Sequence, residues 1–202
     1  MITDTLNLYY NKSKIIFQLD IKKFSEKFSF FIELVNYWTQ ILALVLFKSS
    51  FPSNLKNIIK NLVDENLSKL YHCDTFYNFL LECGFDPNYY DINSLIMLSK
   101  SNHIIIKFTK LLYDFVMENS FSDCVEILGS IEYIYHLIYS DINIYFIESN
   151  GKNPSYHFNL HEIVDQQHSR KLFESSENQE PKESNILFGS KWIINVIKEL
   201  IE

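Results

Sequence analysis

Apolar residues recur along this chain at helical spacing, interrupted by short polar breaks. Asp4 to Phe17 predicts a first short helix, with Thr3 or Asp4 as its N-cap. After Asp20 and a basic pair, Ser25 opens an apolar stretch that runs to Phe47. By length it could cross a membrane. Glu33, Asn36 and Gln40 nevertheless fall at i, i+3 and i+7 within it and draw a polar stripe. The expectation is therefore a central bundle helix turned toward a polar cavity, with Glu33, Asn36, Tyr37 and Gln40 as substrate-pocket candidates. Phe51-Pro52-Ser53 breaks that helix, and Leu55, Ile58, Ile59, Leu62, Val63 and Leu70 mark the buried face of the next.

Asp74 is the expected cap of a short helix that stops at Gly84, with a loop from Pro87 to Asp91. A further helix from Ile92 or Ser101 to Met117 would bury Ile104, Phe108, Leu111, Leu112 and Phe115. Ser122 begins another, with Ile127, Leu128, Ile131, Ile134, Tyr135 and Ile138 on one face; the β-branched run Ile142 to Ile147 reads as its end. Asn153-Pro154 marks a helix start, Ser175 to Ser184 a mobile polar loop, and Phe188 to Ile201 a closing helix. That helix packs through Trp192, Ile193, Val196 and Leu200. No internal repeat or strand series emerges, so the reading is all-α, one domain over residues 1–202.

Composition supports this. Only 4 glycines and 4 prolines punctuate 202 residues that are 47% apolar, which favours long helices over many short strands. A net charge of −7 and a single arginine, Arg170, argue against nucleic acid as the main partner. The three cysteines, Cys73, Cys83 and Cys124, have no C-x-x-C spacing and suit a reduced, cytoplasmic protein. No export signal is read at the N-terminus. The expected partner is a small-molecule substrate, and the aromatic stripes can be buried internally or across a homodimer.

The chemistry concentrates in Tyr156 to Phe173. His161, Asp165 and His168 lie at about 0°, 40° and −20° around a helix, one narrow stripe. On the earlier helix Glu65 and His72 share the shoulder of the apolar face, while Asp64 projects toward solvent. Glu132 lies at the edge of an apolar face, with Glu126 about 120° away. A set of three carboxylates and three imidazoles suits iron or manganese better than zinc or calcium. Residues seven apart on a helix are displaced by about 10.5 Å. Glu65/His72 and His161/His168 thus point to two neighbouring ions, or to a locally unwound helix. Alternatively, the same groups form a buried polar network in a metal-free helical interaction module. His103, His136 and His157 have no comparable partners and read as structural.

The pattern resembles the heme-oxygenase-like diiron oxidases and oxygenases. It consists of E-x6-H as Glu65 to His72, one Glu as Glu132, and H-x3-D-x2-H as His161, Asp165 and His168; the order agrees from about residue 4 to 201. The resemblance implies a single heme-oxygenase-like bundle of about seven helices. It further implies two non-heme Fe ions cycling between Fe(II) and Fe(III), held by those six residues, and O2 as co-substrate. The implied function is oxidation of a small carboxylate-bearing metabolite, amino-acid-like or fatty-acid-like. Arg170 could pair with such a carboxylate or lie at the surface. A related branch makes para-aminobenzoate from its own tyrosine and lysine. Its tyrosine position before the third ligand and lysine position ten residues after that ligand correspond here to Ile131 and Ile142, which speaks against that alternative.

Overall fold

Ten α-helices and one short 3-10 turn make up the computed structural model, which describes residues 2–49, 52–67, 72–86, 88, 90–151 and 155–202; among these there is no strand. The helices are α1 (Ile2–Ser13), α2 (Ile21–Phe28), α3 (Ile32–Leu46), α4 (Pro52–Leu67), α5 (His72–Glu82) and α6 (Ile92–Ser99). They continue with α7 (His103–Glu118), α8 (Phe121–Asn150), α9 (Tyr156–Glu174) and α10 (Glu183–Ile201). The all-α expectation is met. The count exceeds the about seven helices that the resemblance implies, and two of the apolar stretches are divided.

The first division is at Ser29–Phe31, where a 3-10 turn separates α2 from α3. Ser25 and Ser29 donate their hydroxyls back to the carbonyls of Lys22 and Glu26, a bonding habit that bends helices. Asp20, rather than Ser25, caps this region by accepting from the Lys23 N–H at 3.1 Å. By length and composition Ile21–Leu46 could cross a membrane, although it is partly buried inside the bundle. The second division is at Asn102, whose side chain accepts from Ile104 and Ile105 and starts α7 afresh. The buried stripe of α7 is then Ile105, Phe108, Leu112 and Val116, which leaves Leu111 exposed. Other boundaries shift too. Thr3, Asp4 and Asp74 lie inside first turns rather than capping them. Phe51, Leu70, Pro87, Asn153 and Pro154 lie outside the described residues.

Helix α8 is the axis of the fold, with α9 and α10 packed along it. Its start is capped by Ser120, which accepts from Asp123 N–H, and its end by Gly151 at φ 60. Asn143 pairs with Asn159 and Ser169 with the Gly129 carbonyl, an antiparallel register for α8 and α9. Gly129 and Gly189 allow this clamp. A Cβ on Gly129 would meet the Phe173 ring of α9 at 3.1 Å, and one on Gly189 would meet the Ile127 carbonyl of α8 at 2.6 Å. Both contacts lie on the turns just before Glu132. Tyr10 ties α1 to α8 by donating to Asp141 at 2.5 Å.

The segment 175–182 departs from expectation. It is a strap held down by Glu126, which is fully buried. Glu126 accepts from Ser176 Oγ at 2.7 Å, Asn178 Nδ2 at 2.6 Å, Lys182 N–H at 3.0 Å and Asn185 Nδ2 at 2.8 Å. The polar composition suggested mobility, but these polar groups are used on the protein itself.

Candidate metal centre

Four helices bring the acid and imidazole groups together. Glu65 sits in the last turn of α4 and His72 opens α5, so the pair belongs to two elements rather than one helix face. The buried face of α4 carries Ile58, Asn61 and Glu65, whereas Ile59 and Val63 are exposed. Polar residues took the inward positions that periodicity assigned to aliphatic ones. Glu132 comes from α8, and His161, Asp165 and His168 from α9; all six groups are buried.

Glu65 is the link. Its Oε2 meets His72 Nδ1, and its Oε1 lies 3.5 Å from His168 Nδ1. His168 Nδ1 is also 4.0 Å from Glu132 Oε1. One ligand atom each from Glu65, Glu132 and His168 fall within 4.8 Å of one another, an arrangement that can hold a metal ion. Bonds of ~2.0–2.2 Å to one ion place donor atoms roughly 3–4 Å apart, and the 3.5 and 4.0 Å separations at His168 Nδ1 match this. Beside this trio the His72 and His161 rings lie 4.4 Å apart, and His161 Nδ1 is 2.7 Å from Asp165 Oδ1. His161 Nε2, Asp165 Oδ2 and His168 Nδ1 are buried with no hydrogen-bond partner among the described residues. Such orphaned polar atoms are costly unless a further group satisfies them.

The electrostatics point the same way. Burial, reinforced by Asp165, pushes the Glu132 carboxyl well above its usual range. Burial and the Glu65 charge do the same to Asp165. Burial acts to raise Glu65 as well, but His168 and His72 overcome it and hold Glu65 low. Burial pulls His161 down to about 4. For His168 burial is outweighed by Glu65 and Glu132, which lift it to about 9. Without a cation the cluster must hold protons on carboxyls that would otherwise ionise; a bound cation relieves that cost.

One imidazole and one carboxylate of the cluster have supporting partners that the sequence does not reveal. Asp64, expected at the solvent side, reaches His168 Nε2 at 3.1 Å while remaining about a third exposed. Trp38 Nε1 donates to Glu132 Oε1 at 2.9 Å, and Asn61 Nδ2 reaches the same oxygen at 3.5 Å. Spacing along one chain segment shows neither, because both partners lie on different helices. His157, read as merely structural, lies against His161 with ring centroids 4.5 Å apart and planes tilted by 51°.

No protein-family model matches the chain, and no curated protein does so. The metal-site reading therefore stands on the residues themselves.

A narrow cavity of about 40 Å³ adjoins the cluster, space for a few waters at ~10–15 Å³ each. Phe31, Leu34, Trp38, Ile131, Tyr135 and Trp192 contribute to its largely apolar wall. The polar stripe of α3 is not part of it. Glu33, Tyr37 and Gln40 line a separate recess against α7, with Lys100, Thr109 and Tyr113. Asn36 donates to Glu33 at 3.0 Å. From α3, Leu34, Val35 and Trp38 line the cavity instead. Arg170 is exposed and paired with Glu174 at 2.7 Å. It lines another recess, not this cavity.

Proposed function

We propose that the protein is a non-heme, O2-dependent diiron oxidoreductase acting on a small organic metabolite. The observation that carries this reading is Glu65, whose two carboxylate oxygens face different imidazoles, His168 and His72. One ion would be held by Glu65, Glu132 and His168. A second would be held by His72, His161 and Asp165, with Glu65 shared between them. A mixed nitrogen and oxygen donor set of this kind suits iron. Bound iron would supply the one- and two-electron chemistry that amino-acid side chains lack.

The chain's own residues set the conditions for that chemistry. Asp64 accepts from His168 Nε2–H and so presents Nδ1 to the cluster, while Trp38 orients Glu132. The aromatic and aliphatic wall excludes bulk water and would hold the carbon skeleton of a substrate. No lysine or arginine occurs among the described residues that line the cavity. A substrate carboxylate would thus find its countercharge at the metal ions rather than at a basic side chain.

Anaerobic Fe(II) titration tests the proposal. About two irons per chain are expected, with uptake lost in His161→Ala and Glu132→Ala. A folded chain that takes up no iron would show the cluster to be a metal-free polar network.

A further inference from the structure

A second buried network, of Thr75, Tyr139 and His157, lies beside the cluster. Thr75, Tyr139 and His157 are each almost completely inaccessible to solvent. Thr75 Oγ1 lies 2.9 Å from the carbonyl of His72 and 2.8 Å from His157 Nδ1. Thr75 owns one hydroxyl proton, and the carbonyl can only accept. With that proton given to the carbonyl, His157 Nδ1 carries the ring's proton and donates to Thr75. Nε2 is then a bare acceptor, and the Tyr139 hydroxyl, 3.2 Å away, donates to it. The Tyr139 ring lies 5.2 Å from the His161 ring and 3.7 Å from that of Tyr135, centroid to centroid. Both tyrosines line the cavity.

We propose that Tyr139 is a redox relay that gives one electron to an oxidised metal ion at the adjacent cluster while its phenolic proton passes to His157 Nε2. The inference rests on the metal reading above. In the forward step the Tyr139 O–H bond breaks and an N–H bond forms on His157. Tyrosine becomes a neutral phenoxyl radical, the metal ion is reduced by one electron, and His157 becomes an imidazolium. An electron from a substrate in the cavity then restores the tyrosine, and the proton returns from His157; the substrate is oxidised by one electron.

The geometry explains why this tyrosine would serve. Removing an electron from a buried phenol leaves a charged radical unless a base takes the proton at the same moment, and Tyr139 is buried away from bulk water. His157 is that base, and the Thr75 contact keeps the receiving nitrogen free. Tyr135 lies against the same ring with the planes tilted by 46° and has no imidazole beside it among the described residues, so it is not a second relay.

The experiment has two arms. Nitrogen-15 NMR of the metal-free protein reads the His157 tautomer: the relay requires neutral Nδ1–H, and an Nε2–H tautomer overturns it whatever the metal does. In the second arm, protein loaded anaerobically with Fe(II) is mixed with O2, frozen and examined by electron paramagnetic resonance. A tyrosyl radical is expected, lost in Tyr139→Phe with iron stoichiometry unchanged and retained in Tyr135→Phe. If Tyr139→Phe does not fold, 3,5-difluorotyrosine at position 139 should alter the hyperfine pattern of the signal. Iron uptake without a radical, or a signal indifferent to position 139, refutes the relay alone. Failure to take up iron refutes the function proposed above and removes the relay's oxidant with it.

Discussion

His168 and Asp64 form a carboxylate–imidazole pair, with Nε2 of the histidine 3.1 Å from Oδ2 of the aspartate. The pair fixes the ring so that its other nitrogen looks at Glu65 and Glu132. Partners of this kind are worth roughly 10–100-fold in metal affinity. Asp64→Ala is therefore expected to weaken metal binding within that range while the helices stay folded, because Asp64 is partly exposed and adds little to the core. Asp64→Asn, which keeps an oxygen acceptor, should fall between the two. Anaerobic metal titration with circular dichroism checks both parts; an affinity unchanged in Asp64→Ala would mean that packing alone orients His168.

Glu132→Gln separates binding from stability. Burial and Asp165 raise the Glu132 carboxyl in the metal-free protein, so the folded state holds a proton that the unfolded chain releases at neutral pH. Stability is thus lost as pH rises above the ordinary carboxylate range. Glutamine removes that penalty and can still accept from Trp38 Nε1. The variant is expected to melt higher than the metal-free parent at pH 7, with the difference shrinking toward pH 4, and to lose metal uptake. A lower melting temperature at pH 7 would show that the charge, not the shape, of Glu132 is needed for folding.

How much of this was legible in the sequence differs from element to element. The H-x3-D-x2-H stripe could be read because all three groups sit on one uninterrupted helix, where periodicity fixes their phase. Glu65 and His72 were found as a pair, but spacing put them far apart on one helix, whereas they touch across the α4–α5 junction. The stripe of α3 reads as polar from its spacing, but spacing within one helix does not say which neighbour it faces: Glu33, Tyr37 and Gln40 line a recess against α7, apart from the cavity at the cluster. Asp64 and Trp38 act on residues from other helices, as His157 does on Thr75 and Tyr139, and no single-segment pattern encodes such contacts. The strap shows the same limit: its polar residues look solvated until Glu126 is placed beneath them.

Gly189 is predicted to control how closely α10 approaches α8. A Cβ there would lie 2.6 Å from the Ile127 carbonyl and 2.9 Å from Ser130 Cβ, and backbone cannot swing aside as a side chain does. Gly189→Ala should destabilise the fold by about 1–3 kcal/mol, the usual cost of overpacking, despite alanine's better helix propensity. Because the contact sits on the turn before Glu132, metal affinity should fall along with stability in chemical denaturation and titration experiments. A stabilised Gly189→Ala would mean that the two helices separate easily.

The strap should loosen in acid through Asp123. Burial acts to raise this carboxyl, but Lys182, Ser120 and Asn185 outweigh it and bring it down to about 2 from 3.8. Lys182 Nζ donates at 2.6 Å and Asn185 Nδ2 at 2.8 Å. A carboxyl lowered by folding contributes stability that is fully present above its unfolded value and is lost as pH falls through its folded one. The strap's anchoring at Asp123 is therefore expected to be intact above about pH 4 and to weaken from there toward pH 2. Hydrogen exchange of residues 175–182 measures this locally, and Asp123→Asn is the control. The variant should exchange faster at pH 6 and show a flatter dependence below pH 4; parallel pH curves for the two proteins would place the acid sensitivity of the strap elsewhere.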